Sequence, residues 1–287
     1  MINLRHQAPY YFRLMRFDKP IGILLLLWPT LWALWLAANG IPSFKTLIIF
    51  ILGVVVMRAA GCIMNDFADR NIDKYVQRTQ FRPLTTGAVG TIEAIALFGI
   101  LCLFALGFVV LLNRFTLELA IVGILLVVIY PFLKRVTHLP QFWLGLSFSW
   151  SIPMAFTAEQ RGGVSTTAWI LFMTGVCWVM AYDTQYAMMD REDDLKVGVK
   201  STAILFGRYD RLTIALLQGG MLLLLSTLGR RLQLNYWFYL GLLAALGLMI
   251  YQQTLICHRK PENCFAAFRN NNWVGLVIFL GIFFSYI

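Results

Sequence analysis

Nine apolar runs, each near the ~20 residues a helix needs to cross a bilayer, leave this chain few ways to fold. They cover 20–38, 46–64, 92–112, 116–132, 141–156, 167–186, 212–228, 236–255 and 273–287. Inside a hydrocarbon layer the backbone must satisfy its own polar groups, so runs of this length are expected to be helical. With 59% of its 287 residues hydrophobic, the chain belongs among polytopic membrane proteins whatever its length says about domain number. The expectation is one all-α domain, 1–287, of about nine transmembrane helices in a single bundle. The fifth and ninth runs are short and Pro153 interrupts the fifth, which a tilted or kinked helix accommodates.

Basic residues set the expected orientation. The N-terminal segment and the loops after the second, fourth, sixth and eighth runs carry 18 of the Lys and Arg residues, against 5 on the opposite side. Positive charge collects on the cytoplasmic side, which places the N-terminus there. The net charge of +10 is therefore a property of loops, and no soluble basic face suggests nucleic acid. Residues 1–19 suit a short amphipathic helix lying on the membrane; the run that follows is too long for a signal-peptide core, so no removed leader is expected. The five cysteines are scattered, without metal-site or disulfide spacing, and suit small apolar fillers.

Seven of the nine aspartates fall in two stretches, Asn65 to Asp73 and Asp183 to Asp194, each closing an apolar run. If both are helical, Asn65, Asp69 and Asp73 share one face, as do Asp183, Asp190 and Asp194. Four runs separate the second from the sixth, so both stretches emerge on the same side. Stacked carboxylates at a poorly screened boundary call for cations. Several hard oxygen ligands suit Mg²⁺, which takes its remaining ligands from water and a phosphate-bearing substrate. A solvated acidic helix end explains one such cluster; two of them, each ending a membrane-length segment, favour a diphosphate clamp. Asn65, Asp69, Asp73, Asp190 and Asp194 are the expected metal ligands, with Asp66 about 100° round the helix as a supporting partner. Each stretch leads into a basic loop with Ser or Thr, Arg78-Thr79 and Lys200-Ser201, then Gly87 or Gly207. This suggests two parallel pseudo-repeats, roughly 20–140 and 141–287.

Arg58 lies within the second run, about two turns deeper than Asn65 on the same face. A guanidinium there is costly unless paired or facing a wet cavity. A substrate carboxylate would pair with it bidentately, while Glu93 and Glu118, the acids on offer for a structural pair, both lie near helix ends.

The pattern N-D-x-x-D-x-x-x-D from Asn65, with Arg78-Thr79 and Arg82-Pro83-Leu84 after it, resembles that of the intramembrane aromatic prenyltransferases. So do Tyr182 to Ala187, Lys200-Ser201-Thr202, and Asp18 to Gly22 with Trp28-Pro29-Thr30. The second acidic pattern looks like the branch of that family serving bacterial ubiquinone synthesis. The resemblance implies a bundle like that of soluble isoprenoid synthases, a cytoplasmic active site in the bacterial inner membrane, and Mg²⁺ as cofactor. It implies polyprenyl diphosphate, 4-hydroxybenzoate and membrane lipid as partners, the prenyl group going to the ring carbon ortho to the hydroxyl. Lys134, in Tyr130-Pro131-Phe132-Leu133-Lys134, matches the family's Y-x-x-x-K pattern; it would neutralise departing diphosphate, with Tyr130 a turn away as donor. Taken alone it reads as a lysine snorkelling at a helix end. Asp183 would accept a hydrogen bond from the acceptor phenol, or else pack between helices. Arg78, Arg82 and Arg16 would close over the diphosphate, and Arg58 would take the acceptor carboxylate. Homogentisate or a dihydroxynaphthoate are alternative acceptors. A cation-coupled transporter is the alternative from another class, but transport sites lie near the midplane, usually between inverted repeats.

Overall fold

The computed structural model describes residues 4–75 and 79–287, and every element in them is helical. Arg78, expected over the diphosphate, lies outside the described residues. The helices are α1 (Leu4–Leu14), α2 (Ile21–Ala38), α3 (Phe44–Asp69), α4 (Thr91–Val110), α5 (Arg114–Leu133), α6 (Pro140–Ser149) and α7 (Ser151–Gln160). They continue with α8 (Thr166–Val197), α9 (Thr202–Phe206), α10 (Asp210–Arg231), α11 (Tyr236–Leu255) and α12 (Pro261–Ser285). Among the described residues six stretches are long and apolar enough to cross a membrane on their own. The split pair α6–α7 and the more polar α8 and α12 complete the bundle.

Local chemistry explains the breaks. Ser43, Asn113, Ser165 and Asn235 turn side-chain oxygens onto the first free N–H groups of α3, α5, α8 and α11, which satisfies donors that helices leave open at their starts. Pro153 has no N–H to offer the Ser149 carbonyl, and the expected fifth helix accordingly divides at Trp150 into α6 and α7. The ninth helix begins twelve residues before its apolar run, at Pro261, because amides on one face of its early turns find partners inside the bundle. Asn271 there accepts from Trp178 Nε1 (3.0 Å) and donates to Gln185 Oε1 (2.8 Å). Gln252 accepts from Gln185 (3.1 Å) and Gln218 (2.7 Å) and donates to Asn270 (2.9 Å). Four helices, α8, α10, α11 and α12, are thereby joined by amides that apolar periodicity cannot reveal.

The main core lies among α2, α7, α8 and α12, where Trp32, Phe156, Trp178 and Ile278 are buried. Small residues bring α11 and α12 together: a Cβ on Gly241 would come 2.7 Å from the Val277 carbonyl, the close approach typical of helices packing in lipid. In contrast, α4 buries only Ala94 and Ala105 and turns residues such as Ile92, Leu103 and Phe104 outward, as a lipid-facing helix does. Helix α1 is not a free surface helix. Its Leu14 is buried, Tyr11 hydrogen-bonds Glu93 of α4, and the chain turns at Arg16 in the left-handed region (φ 59°).

Candidate active site

Helix lengths set the depth of the site. At 1.5 Å per residue, the 26 residues of α3 and 32 of α8 span about 39 and 48 Å, both exceeding a ~30 Å hydrocarbon layer. Counted from the first residue of each helix, Arg58 and Asp183 lie about 21 and 26 Å along α3 and α8, and Asp69 and Asp190 about 38 and 36 Å. The acidic residues thus occupy the projecting ends, while Arg58 and Asp183 form a deeper tier. As expected, α8 carries Asp183, Asp190 and Asp194 within one unbroken helix.

The first acidic stretch differs from its expected form. Helix α3 stops at Asp69, the chain turns with Ile72 N–H on the Asp69 carbonyl (2.7 Å), and Asp73 opens a short 3-10 segment. Asp73 therefore does not continue the face of Asn65 and Asp69. It is folded back by Arg82, whose Nη1 stands 2.7 Å from Asp73 and 3.0 Å from Asp66. Asp66, 1% exposed, is also bound by Arg16 at 2.8 Å. It is the hub of this wall, joining the N-terminal strap to the loop after α3. Burial, opposed by Arg82 and reinforced by Asp69 and Asp66, holds the Asp73 carboxyl above the ordinary aspartate range.

From α5, Lys134 pairs with Asp69 and Arg135 caps the Ala68 carbonyl. The loop after α8 is tied to the same point, through Lys200 N–H on the Lys134 carbonyl (3.0 Å) and Lys200 Nζ on that of Val136 (3.0 Å). The two acidic helix ends meet around one space. Asp183 lies within electrostatic reach of Asp190, Arg58 and Lys134, Tyr130 of Arg58, Asp183 and Asp69, and Arg16 of Asp66 and Tyr186.

Arg58 makes no ion pair among the described residues. Its Nη1 donates to Cys62 Sγ (2.7 Å), its guanidinium stands over the Phe148 ring (5.8 Å), and its Nε is buried without a partner. The guanidinium lies directly against Gly22, where an added Cβ would come 2.7 Å from Cζ. Below Arg58 and Tyr130 an apolar cavity of about 130 Å³ runs between α3, α4, α5 and α6–α7, past Val54, Val127 and Trp150. Gly22, Cys62 and Phe148 have no periodic signal that marks them as site residues.

Among the described residues no three Asp, Glu, His or Cys side chains stand close enough to hold a metal by themselves, so the expected five-residue ligand set is not preassembled. Asn65 instead donates to Asp69 (3.2 Å). Carboxylate oxygens nevertheless remain for an ion: Asp66 Oδ2 and Asp69 Oδ1 are buried without hydrogen-bond partners. One or two carboxylates with water and phosphate are the usual Mg²⁺ environment, and the donor set fits that ion.

Acidic helix ends ringed by Arg and Lys, above a lipid-like cavity, define a membrane-embedded enzyme for a substrate with a polyanionic head and an apolar tail. The chain belongs to the UbiA prenyltransferase family, whose model matches residues 26–283. It is 69% identical over 286 residues to "4-hydroxybenzoate octaprenyltransferase" of Coxiella burnetii (strain CbuK_Q154), covering 100% of this chain and 99% of that one. A UbiA homologue from Aeropyrum pernix K1 has the same fold, with a TM-score of 0.81 at 24% identity over 93% of this chain and 98% of its own. So does one from Archaeoglobus fulgidus, bound to GPP and Mg²⁺, with a TM-score of 0.71 at 16% identity over 96% and 99%. Family membership removes the transporter alternative.

Proposed function

We propose that this protein transfers a polyprenyl group from polyprenyl diphosphate to the carbon ortho to the hydroxyl of 4-hydroxybenzoate, a step of ubiquinone biosynthesis. The observation that supports this most is the 69% identity, along the whole chain, to a relative of that activity. The site lies at the cytoplasmic boundary of the bacterial inner membrane, where Asp69, Asp190 and Asp194, with Asn65 and Asp73 and with the unpartnered Oδ2 of Asp66, would hold Mg²⁺ against the diphosphate. When bound, the ion neutralises charge on the leaving group.

The chain's own residues do the rest. Lys134, beside Asp69, and Arg16 and Arg82, beside Asp66, turn to the diphosphate as its carbon–oxygen bond breaks and the electron pair leaves with it. Arg58 takes the acceptor carboxylate in its deeper tier. Asp183 accepts a hydrogen bond from the acceptor hydroxyl, raising electron density at the ortho carbon, which forms the new carbon–carbon bond. That carbon's proton passes to the departed diphosphate, which restores aromaticity. The apolar cavity receives the first part of the tail and keeps water from the cationic carbon.

Membranes containing the protein, given labelled polyprenyl diphosphate, Mg²⁺ and 4-hydroxybenzoate, should yield a labelled lipid-soluble product carrying the aromatic acid. No product with this acceptor, alongside product with another aromatic, would replace the substrate assignment.

A further inference from the structure

The last turns of α8 carry Asp190 and Asp194, yet from Met189 to Val197 no residue of that helix is fully buried. Packing alone therefore does little to fix this end. One side chain ties it down. Arg191 lies about 100° round the helix from Asp190; its Nη2 donates to Asp210 and to the Ala203 carbonyl (2.6 Å). Asp210, the first residue of α10, is 0% exposed and belongs to neither acidic stretch. Both its oxygens are engaged: Oδ2 by Arg191 and by Arg259 Nε (3.0 Å), Oδ1 by Arg259 Nη2 (2.9 Å) and the Arg211 N–H (2.6 Å). Arg259 also donates to the Arg208 carbonyl (3.0 Å). The end of α8, the α9 turn, the start of α10 and the turn after α11 thus converge on one buried carboxylate. Charge-assisted bonds of this number compensate its burial and hold it in one geometry.

We infer that Asp210 is a positioning residue for the Mg²⁺–diphosphate site: by fixing Arg191 it sets the direction in which α8 presents Asp190 and Asp194. The inference rests on those two carboxylates being metal ligands. They stand about 40° apart on the helix, so rotation about its axis carries both the same way, and one anchored neighbour orients the pair. Asp210 acts through Arg191 and takes no part in the chemistry itself. A residue beyond the ligands that holds them in direction governs metal affinity more than substrate fit.

Asp210→Asn keeps the shape of the anchor and removes its charge. Arg191→Gln releases the end of α8 while Asp210 stays paired with Arg259, and it serves if the first variant does not fold. In either, Mn²⁺ binding to the detergent-solubilised protein with inorganic diphosphate, read by electron paramagnetic resonance, should weaken roughly ten- to hundredfold. The Mg²⁺ concentration for half-maximal transfer should rise in step, with KM for 4-hydroxybenzoate unchanged. In the absence of metal, the backbone amides of residues 189–197 should exchange hydrogen faster than in the wild type. Arg191→Lys, which can still pair with Asp210, should recover most of the metal affinity. Unchanged metal affinity in a folded Arg191→Gln protein, even with a lower melting temperature, would make the anchor merely structural and overturn the assignment. Failure of the wild-type protein to bind Mn²⁺ with diphosphate would instead refute the metal clamp beneath it, so the two failures are distinct.

Discussion

Gly22, at the start of α2, lies against the guanidinium of Arg58 from α3, so closely that an added methyl would come 2.7 Å from Arg58 Cζ. The absence of a side chain at one helix end thus sets the position of a cation on another. Gly22→Ala should push the guanidinium aside without removing its charge. KM for 4-hydroxybenzoate should rise about tenfold, as for a misplaced hydrogen-bonding group, and KM for the prenyl donor should hold. Arg58→Ala should show the same selectivity more strongly. Steady-state kinetics with each substrate varied in turn checks both; equal effects on the two substrates would make Arg58 structural.

Asp69→Ala and Asp190→Ala should each abolish transfer while the protein still elutes as a folded species in detergent. Chelation by EDTA should abolish wild-type turnover, and added Mg²⁺ should restore it in the wild type alone. Full activity in either variant would remove the metal clamp.

Lys134 is held to Asp69 at the point where leaving-group charge develops. Lys134→Gln keeps a hydrogen-bonding side chain and loses the cation. Turnover should fall about 10²–10³-fold, the usual effect of losing a group that stabilises developing charge. Single-turnover rates at saturating substrates isolate this step, and a rate within a factor of two of wild type would return Lys134 to the role of a snorkelling lysine.

Asn271 links α12 to both Trp178 and Gln185 of α8. Asn271→Leu strands a buried indole N–H and a buried amide oxygen. It should cost about 1–3 kcal/mol, read as a lower melting temperature in detergent, with turnover of the surviving folded protein declining as α8 loses its rotational anchor. An unchanged melting temperature would show that the amide chain contributes little.

The number and order of the apolar segments were legible because hydrocarbon length imposes a period that no other environment mimics. Pro153 announced the break between α6 and α7 for the same reason: a missing N–H is visible in sequence. Asp73 was misplaced because its position depends on Arg82, nine residues on, and helical spacing knows nothing of that pair. The buried amides of α12 likewise hid its first turns. Arg58 stands out as a charge at membrane depth, whereas Lys134 is marked only by the Y-x-x-x-K pattern of the family it resembles. Gly22 does not stand out, since a glycine in a bundle ordinarily signals packing, and only the crowded guanidinium distinguishes it.

Helices α3 and α8 carry the two acidic ends yet do not pack closely on each other; α8 is fastened chiefly to α10, α6 and α12, and α3 to α4, α2 and α5. The span between the carboxylates is therefore not dictated by backbone contact, and the cationic side chains of Arg16, Arg82 and Lys134 are held on the α3 side of it. A headgroup whose charge outcompetes the α3 carboxylates for those side chains would draw them into the gap by its own arrival, making grip strength a reading of whether that headgroup is intact.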